Sequence, residues 1–200
     1  MKFFITHYTP LVDRKQHIIR SLHNANIDDF KIVDVYDKES LTKLDTDKFS
    51  EIKLSEISLF LKHVDIYKKH VDDVVVVLED DAVLVDDFKE KLDYYLDAIK
   101  RSGSEWDILF TGECCNLHAV NNEKQIFHKL PYSRGTCMYV MNKGVCAKLN
   151  NIFDNEQLIT KSIDHWFNYI IPKYNLNAYW TEPTLVFQGS EIGYFKSAIR

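Results

Sequence analysis

A run of five apolar residues, Val74 to Leu78, ends on three acids, Glu79, Asp80 and Asp81, and two more acids follow at Asp86 and Asp87. Adjacent carboxylates repel one another, and at the end of a buried strand they cost folding energy unless a cation sits beside them. Carboxylate oxygens suit Mg²⁺ and Mn²⁺, ions that commonly bridge a protein carboxylate to a ligand's phosphates. The chemistry to expect is therefore a metal-assisted reaction on a phosphate-bearing substrate. For Asp86 and Asp87 a solvated turn capping the next helix accounts for the residues without any chemistry.

These acids need a scaffold, and the surrounding pattern supplies one. Val74 to Leu78 is continuous and β-branched, as in a strand covered on both faces. Before it, Lys2 to His7 reads as a short buried strand, Leu11 to Ala25 as a helix, Phe30 to Val35 as a second strand, and Asp37 to Ser50 as a loop without a period. Leu54 to His70 has an apolar stripe at helical spacing. After the acids come a helix with Phe88, Leu92, Leu96 and Ile99 inward, then strands at Ile108–Thr111, Ile126–Leu130 and Cys137–Met141. Helices over Lys143–Phe153 and Ile163–Ile171 and a strand near Ala178–Thr181 complete the reading. Strand and helix alternate without a repeat or a linker, so the class is α/β with a mostly parallel sheet flanked by helices, in one domain spanning 1–200. In such sheets ligands bind beyond the carboxyl ends of the strands, where Glu79, Asp80 and Asp81 stand.

Composition narrows the classes further. With 200 residues, 46% hydrophobic, and 6 Gly and 4 Pro, the chain is neither disordered nor collagen-like. Lys and Arg number 25 against 30 Asp and Glu, and no basic block follows a phosphate backbone, so nucleic acid is not an expected partner. No apolar run is long enough for a transmembrane segment or a signal peptide core, which leads us to expect a cytoplasmic protein. Cys114 and Cys115 are adjacent, a poor geometry for a disulfide, and Cys137 and Cys146 lack zinc-ligand spacing; all four are expected as reduced, mostly buried thiols.

At this level of detail a family becomes visible. VVVVLEDDAVL resembles the hallmark of glycosyltransferase family 25, the lipooligosaccharide and collagen galactosyltransferase group. SEISLFLKH, at Ser55 to His63, resembles its GEIGCALSH motif at Glu56, Ile57, Leu61 and His63, with serine in place of both glycines. WDILFTG (Trp106 to Gly112), RGTCMYVMNKGVCAKL (Arg134 to Leu149), SIDHWF (Ser162 to Phe167) and PTLVFQGSEI (Pro183 to Ile192) are similar to further family segments and follow in the same order.

The resemblance implies a GT-A-like nucleotide-sugar fold and an inverting transfer of a hexose, usually galactose from a UDP-sugar, to a hydroxyl of a glycan or glycoconjugate, as in lipopolysaccharide biosynthesis. Mn²⁺ or Mg²⁺ would neutralise the leaving diphosphate. Asp81 is then the expected metal ligand and Glu79 a second ligand or a ribose contact, with Asp80 able to exchange roles with either. Arg14, Glu56, His63, Gln188 and Ser190 are expected at the donor, although His63 also suits a satisfied core histidine. Asp164, in the family's DH pair, is the expected general base and Glu113 the next candidate. His165 and Trp166 are expected at the acceptor. Two other classes, a metal-dependent nucleotidyltransferase or phosphatase and a silent sugar-binding module, compete; the first lacks its Gly-rich loop or DxDxT nucleophile, and the intact acidic triplet argues against the second.

Overall fold

The computed structural model describes residues 1–69, 72–119 and 125–197. In chain order the elements are β1 (Lys2–Thr6), α1 (Val12–Asn24), β2 (Phe30–Val33), α2 (Lys43–Thr46), α3 (Leu54–Lys69), β3 (Val75–Glu79), β4 (Ala82–Leu84) and α4 (Phe88–Arg101). They continue with β5 (Ile108–Phe110), β6 (Gly112–Glu113), β7 (Phe127–Lys129), β8 (Met138–Met141), α5 (Val145–Asn155), α6 (Ile163–Lys173), β9 (Ala178–Thr181) and β10 (Val186–Gln188).

Seven strands form one sheet in the order β2-β1-β3-β8-β5-β9-β7. β2, β1 and β3 are parallel, β8 is antiparallel to β3 and to β5, β9 is parallel to β5, and β7 is antiparallel to β9. Five strands thus run one way, with β8 and β7 reversed, so the sheet is mostly parallel in direction, as expected, but mixed in its pairing. Val75, Val76, Val77 and Leu78 are all fully buried. Because side chains alternate along a strand, Val75 and Val77 enter the core beneath α3, α5 and α6, while Val76 and Leu78 enter the one beneath α1 and α4. This two-sided cover explains the unbroken apolar run.

Three short strands escaped the sequence reading. β4, β10 and β6 form a second sheet in that order, and elements of two or three residues show no period. The expected loop over Asp37–Ser50 also contains α2, which opens on a capping box between Thr42 and Asp45. The expected α3 ended at His70, which lies outside the described residues. Asp87 does precede α4, but with φ of 55° and no side-chain bond to the helix, so it is not the cap we expected.

Gly112 marks where β6 crosses β8. A Cβ there would lie 2.5 Å from Cys137 Sγ and 2.7 Å from the Met138 backbone nitrogen, and the backbone cannot step aside. Gly112→Ala is therefore expected to lose about 1–3 kcal/mol of stability, the usual cost of overpacking, read by denaturant unfolding. A loss within roughly 0.5 kcal/mol, typical of a surface change, would show that the crossing is loose.

Candidate functional site

β3 delivers its acids into a pocket also lined by Thr6, His7, Arg14, Lys62, Gln188 and Ser190. Each arrives for a local reason. Arg14, Ile18 and Leu22 share one buried stripe of α1, and Arg14 heads it at the end nearest the acids. Gln188 ends β10, whose register pairs it with Ala82, immediately after the triplet.

Asp80 and Asp81 are 5% and 1% exposed, so their charges need compensation. Asp80 receives it fully: His7 Nδ1 lies 2.8 Å and the Tyr8 backbone N–H 3.3 Å from Oδ2, while Arg14 Nη1 donates to Oδ1 at 3.1 Å. The same Arg14 nitrogen is 3.3 Å from Asp81 Oδ2, which also accepts from the Ser190 backbone N–H at 3.3 Å. Asp81 Oδ1 is buried with no hydrogen-bond partner. Burial holds Asp81 above the usual carboxylate range against the pull of Arg14. Glu79 accepts the Thr136 hydroxyl at 2.6 Å on Oε1. Burial first, and then the Asp81 charge, push Glu79 up to about 8, and Asp164 is near enough to add to that push.

A peptide strap closes the pocket from outside. The backbone N–H of Gly189 donates to the Asp81 carbonyl at 2.9 Å. Farther along, the Lys196 carbonyl accepts from Arg14 Nη2, and the Phe195 ring lies 5.3 Å from the guanidinium carbon. Arg14 is thus a buried clamp between two carboxylates and the strap, not a solvated helix-face arginine.

The donor set fits a divalent ion. Among the described residues no three His, Cys, Asp or Glu side chains gather as a complete ligand set. Mg²⁺-like ions, however, are commonly bound through one or two carboxylates with substrate phosphates and water. The unpartnered Asp81 Oδ1 and a Glu79 with one oxygen committed match that demand. Asp80, with both oxygens engaged, is an anchor and does not exchange roles with them.

Asp164 opens α6 and its Oδ1 accepts the Ser162 hydroxyl at 2.6 Å. Ser162 therefore serves this carboxylate and makes no capping side-chain bond to the helix backbone. Glu113, at the end of β6, has a buried Oε2 with no partner, while His118 Nε2 lies 3.5 Å from Oε1.

Three expectations need correction. His63 is fully buried, 2.6 Å from the Tyr139 hydroxyl and stacked on that ring; it is a core histidine, and burial pushes it down to about 3. Glu56 accepts the Lys53 backbone N–H at 2.8 Å, which makes it a cap of α3, and it lines a different groove from the acidic pocket. Trp166, 2% exposed and packed against Phe60 and Phe167, has no free face for a sugar. His165 is exposed and shares a separate surface groove with Glu56. His7 and Lys62 went unnoticed in the sequence. Lys62 is 2% exposed and bonds the Val35 carbonyl at 2.6 Å and Asp37 at 2.8 Å; a lysine on the apolar side of α3 was the available signal.

A family model described as glycosyltransferase family 25 (LPS biosynthesis protein) matches residues 1–166. No curated protein matches the chain in sequence. Solved structures show low-scoring likenesses. TarS from S. aureus has 13% identity and a TM-score of 0.46, over 97% of this chain and 62% of that one. The protein A197 from STIV has 13% identity and a TM-score of 0.40, over 93% and 83%. A nucleoside-diphosphate-sugar pyrophosphorylase from Vibrio cholerae RC9 has 12% identity and a TM-score of 0.36, over 90% and 71%. Among the described residues no helix is long and apolar enough to cross a membrane.

Proposed function

The chain belongs to glycosyltransferase family 25 and is a glycosyltransferase; on that premise we propose that it moves a hexose, with galactose the first to test, from a UDP-sugar to a glycan hydroxyl, with inversion and with Mn²⁺ or Mg²⁺ at the diphosphate. The family's description as an LPS biosynthesis protein supports a lipopolysaccharide-type glycoconjugate as acceptor. The observation that carries the reading is the gathering of Glu79, Asp81, Arg14, Gln188 and Ser190 around one pocket.

In this reading Asp81, through its unpartnered oxygen, and Glu79 would hold the cation. Bound there, it supplies Lewis-acid neutralisation of the leaving diphosphate. Arg14 keeps the acids in place and adds fixed positive charge on the diphosphate side, where a guanidinium suits phosphate. Gln188 and Ser190 line the same pocket from the strap side. Asp164 takes the proton of the acceptor hydroxyl as that oxygen attacks the anomeric carbon from the face opposite the diphosphate. Ser162 holds Oδ1 of Asp164, which leaves Oδ2 for the proton.

A panel of UDP-, GDP- and CDP-sugars with Mn²⁺ tests the reading through thermal stabilisation, since a ligand of the native state stabilises by RT ln(1 + [L]/Kd). Mn²⁺ and a UDP-sugar together are expected to raise Tm more than either alone, and Asp81→Ala to stay folded but lose that synergy. Full turnover by chelator-treated protein would remove the metal from the reading, and stabilisation by a GDP- or CDP-sugar alone would reassign the donor.

A further inference from the structure

Directly after Glu113 the chain carries two free cysteines, Cys114 half-buried and Cys115 exposed. Successive side chains of an extended chain point to opposite sides, yet these two sulfurs lie 3.1 Å apart. The backbone accounts for the closeness: Cys115 and Asn116 adopt left-handed φ values of 58° and 51°, a conformation found in only a few per cent of non-glycine residues. The bend is closed by a hydrogen bond from the Leu117 N–H to the Cys114 carbonyl at 3.2 Å. The neighbouring chain makes room as well, since a Cβ at Gly135 would fall 2.6 Å from Cys114 Cβ. Two thiols are thus held side by side, one open to reagents and the other shielded.

We propose that Cys114 and Cys115 form a thiol-modification site that closes reversibly to a vicinal disulfide by exchange with a low-molecular-weight disulfide such as oxidised glutathione. The exposed Cys115 thiolate attacks one sulfur of the reagent, and the first reagent thiolate departs. Cys114 then releases its proton to solvent and attacks the Cys115 sulfur. The Cys114–Cys115 bond forms, the mixed disulfide breaks, and a second reagent thiolate leaves to be protonated. Two protein thiols are oxidised and one reagent disulfide is reduced to two thiols. Adjacent Cα atoms stand about 3.8 Å apart across a trans peptide, below the usual disulfide range of roughly 4.4–6.8 Å. The bond is consequently strained, and strained disulfides are the readily reduced ones. The product is a switch and not a structural staple. It fixes the turn that presents Glu113 and that carries the Leu117 carbonyl bound by Arg134 Nε at 2.6 Å.

The proposal stands on thiol geometry and holds whatever sugar the protein transfers. The test treats the native full chain with oxidised glutathione, followed by intact mass, thiol titration and peptide mapping. The expected product has lost two titratable thiols, weighs two hydrogens less, carries no adduct, maps to Cys114–Cys115 and returns to the starting mass with dithiothreitol. Cys115→Ser is expected to stop the reaction, and Cys114→Ser to halt it at a stable glutathione adduct on Cys115. A persistent adduct on Cys115 in the unaltered protein, or no loss of thiols at all, overturns the proposal.

Discussion

Asp164→Asn is expected to lower the transfer rate by about a hundredfold or more, the scale of a lost general base, while donor affinity stays within a few-fold. Asparagine keeps the shape and an oxygen that can still accept the Ser162 hydroxyl now bound at 2.6 Å, so the helix start is preserved. What disappears is the basic oxygen. If Asp164 were there only for the helix dipole, its loss would show as roughly 0.3–1 kcal/mol of stability and nothing in rate. Single-turnover transfer measured beside donor-dependent thermal shift separates the two. Transfer within a few-fold of the unaltered protein would pass the base role to Glu113, whose Oε2 is buried and unpartnered.

Arg14→Met should produce the largest loss of stability, about 3–5 kcal/mol, because it strips the shared partner from two buried carboxylates. The Arg14, Asp80 and Asp81 side chains are 9%, 7% and 2% exposed, so water does not substitute for the guanidinium. At about 2–4 °C per kcal/mol for a domain of this size, Tm should fall by roughly 6–20 °C. Adding Asp80→Asn to Arg14→Met should recover part of the loss, since one of the two stranded charges is then gone, and a double-mutant cycle measures that coupling. A single variant melting within about 2 °C of the unaltered protein, less than 1 kcal/mol on that scale, would mean that the acids are not held by Arg14.

Legibility from sequence followed the physics of each element. Val74 to Leu78 could be placed because burial on both faces demands an unbroken apolar run, and α1, α3 and α4 because burial on one face imposes a helical period. The reversal of β8 could not be read, since an apolar strand looks the same in either direction. The small sheet of β4, β10 and β6 is fixed by tertiary pairing alone, yet it carries Gln188 to the pocket of acids. The acids stood out because charge at the end of a buried strand is costly. Arg14 was legible as a phosphate-side residue, but its pairing with the acids was not, because it lies 66 residues from Asp80 in the chain. His63, Glu56 and Trp166 were misplaced for a common reason: histidine, glutamate and tryptophan serve cores and caps as readily as ligands, and only packing tells which.

The strap sets a condition on when the protein can work. Arg14 and the Lys196 carbonyl that it binds are separated by 182 positions. A ribosome adds about 5–20 residues per second, so residues 188–197 follow Asp81 by on the order of ten seconds. During that interval a nascent chain can already join Asp80 to His7 and Arg14, but Asp81 lacks the Ser190 N–H and the pocket lacks its outer wall. Closure of the acidic pocket therefore waits for residues 188–197, and a translation product stalled between Thr181 and Gln188 would carry every strand of the seven-stranded sheet without that outer wall.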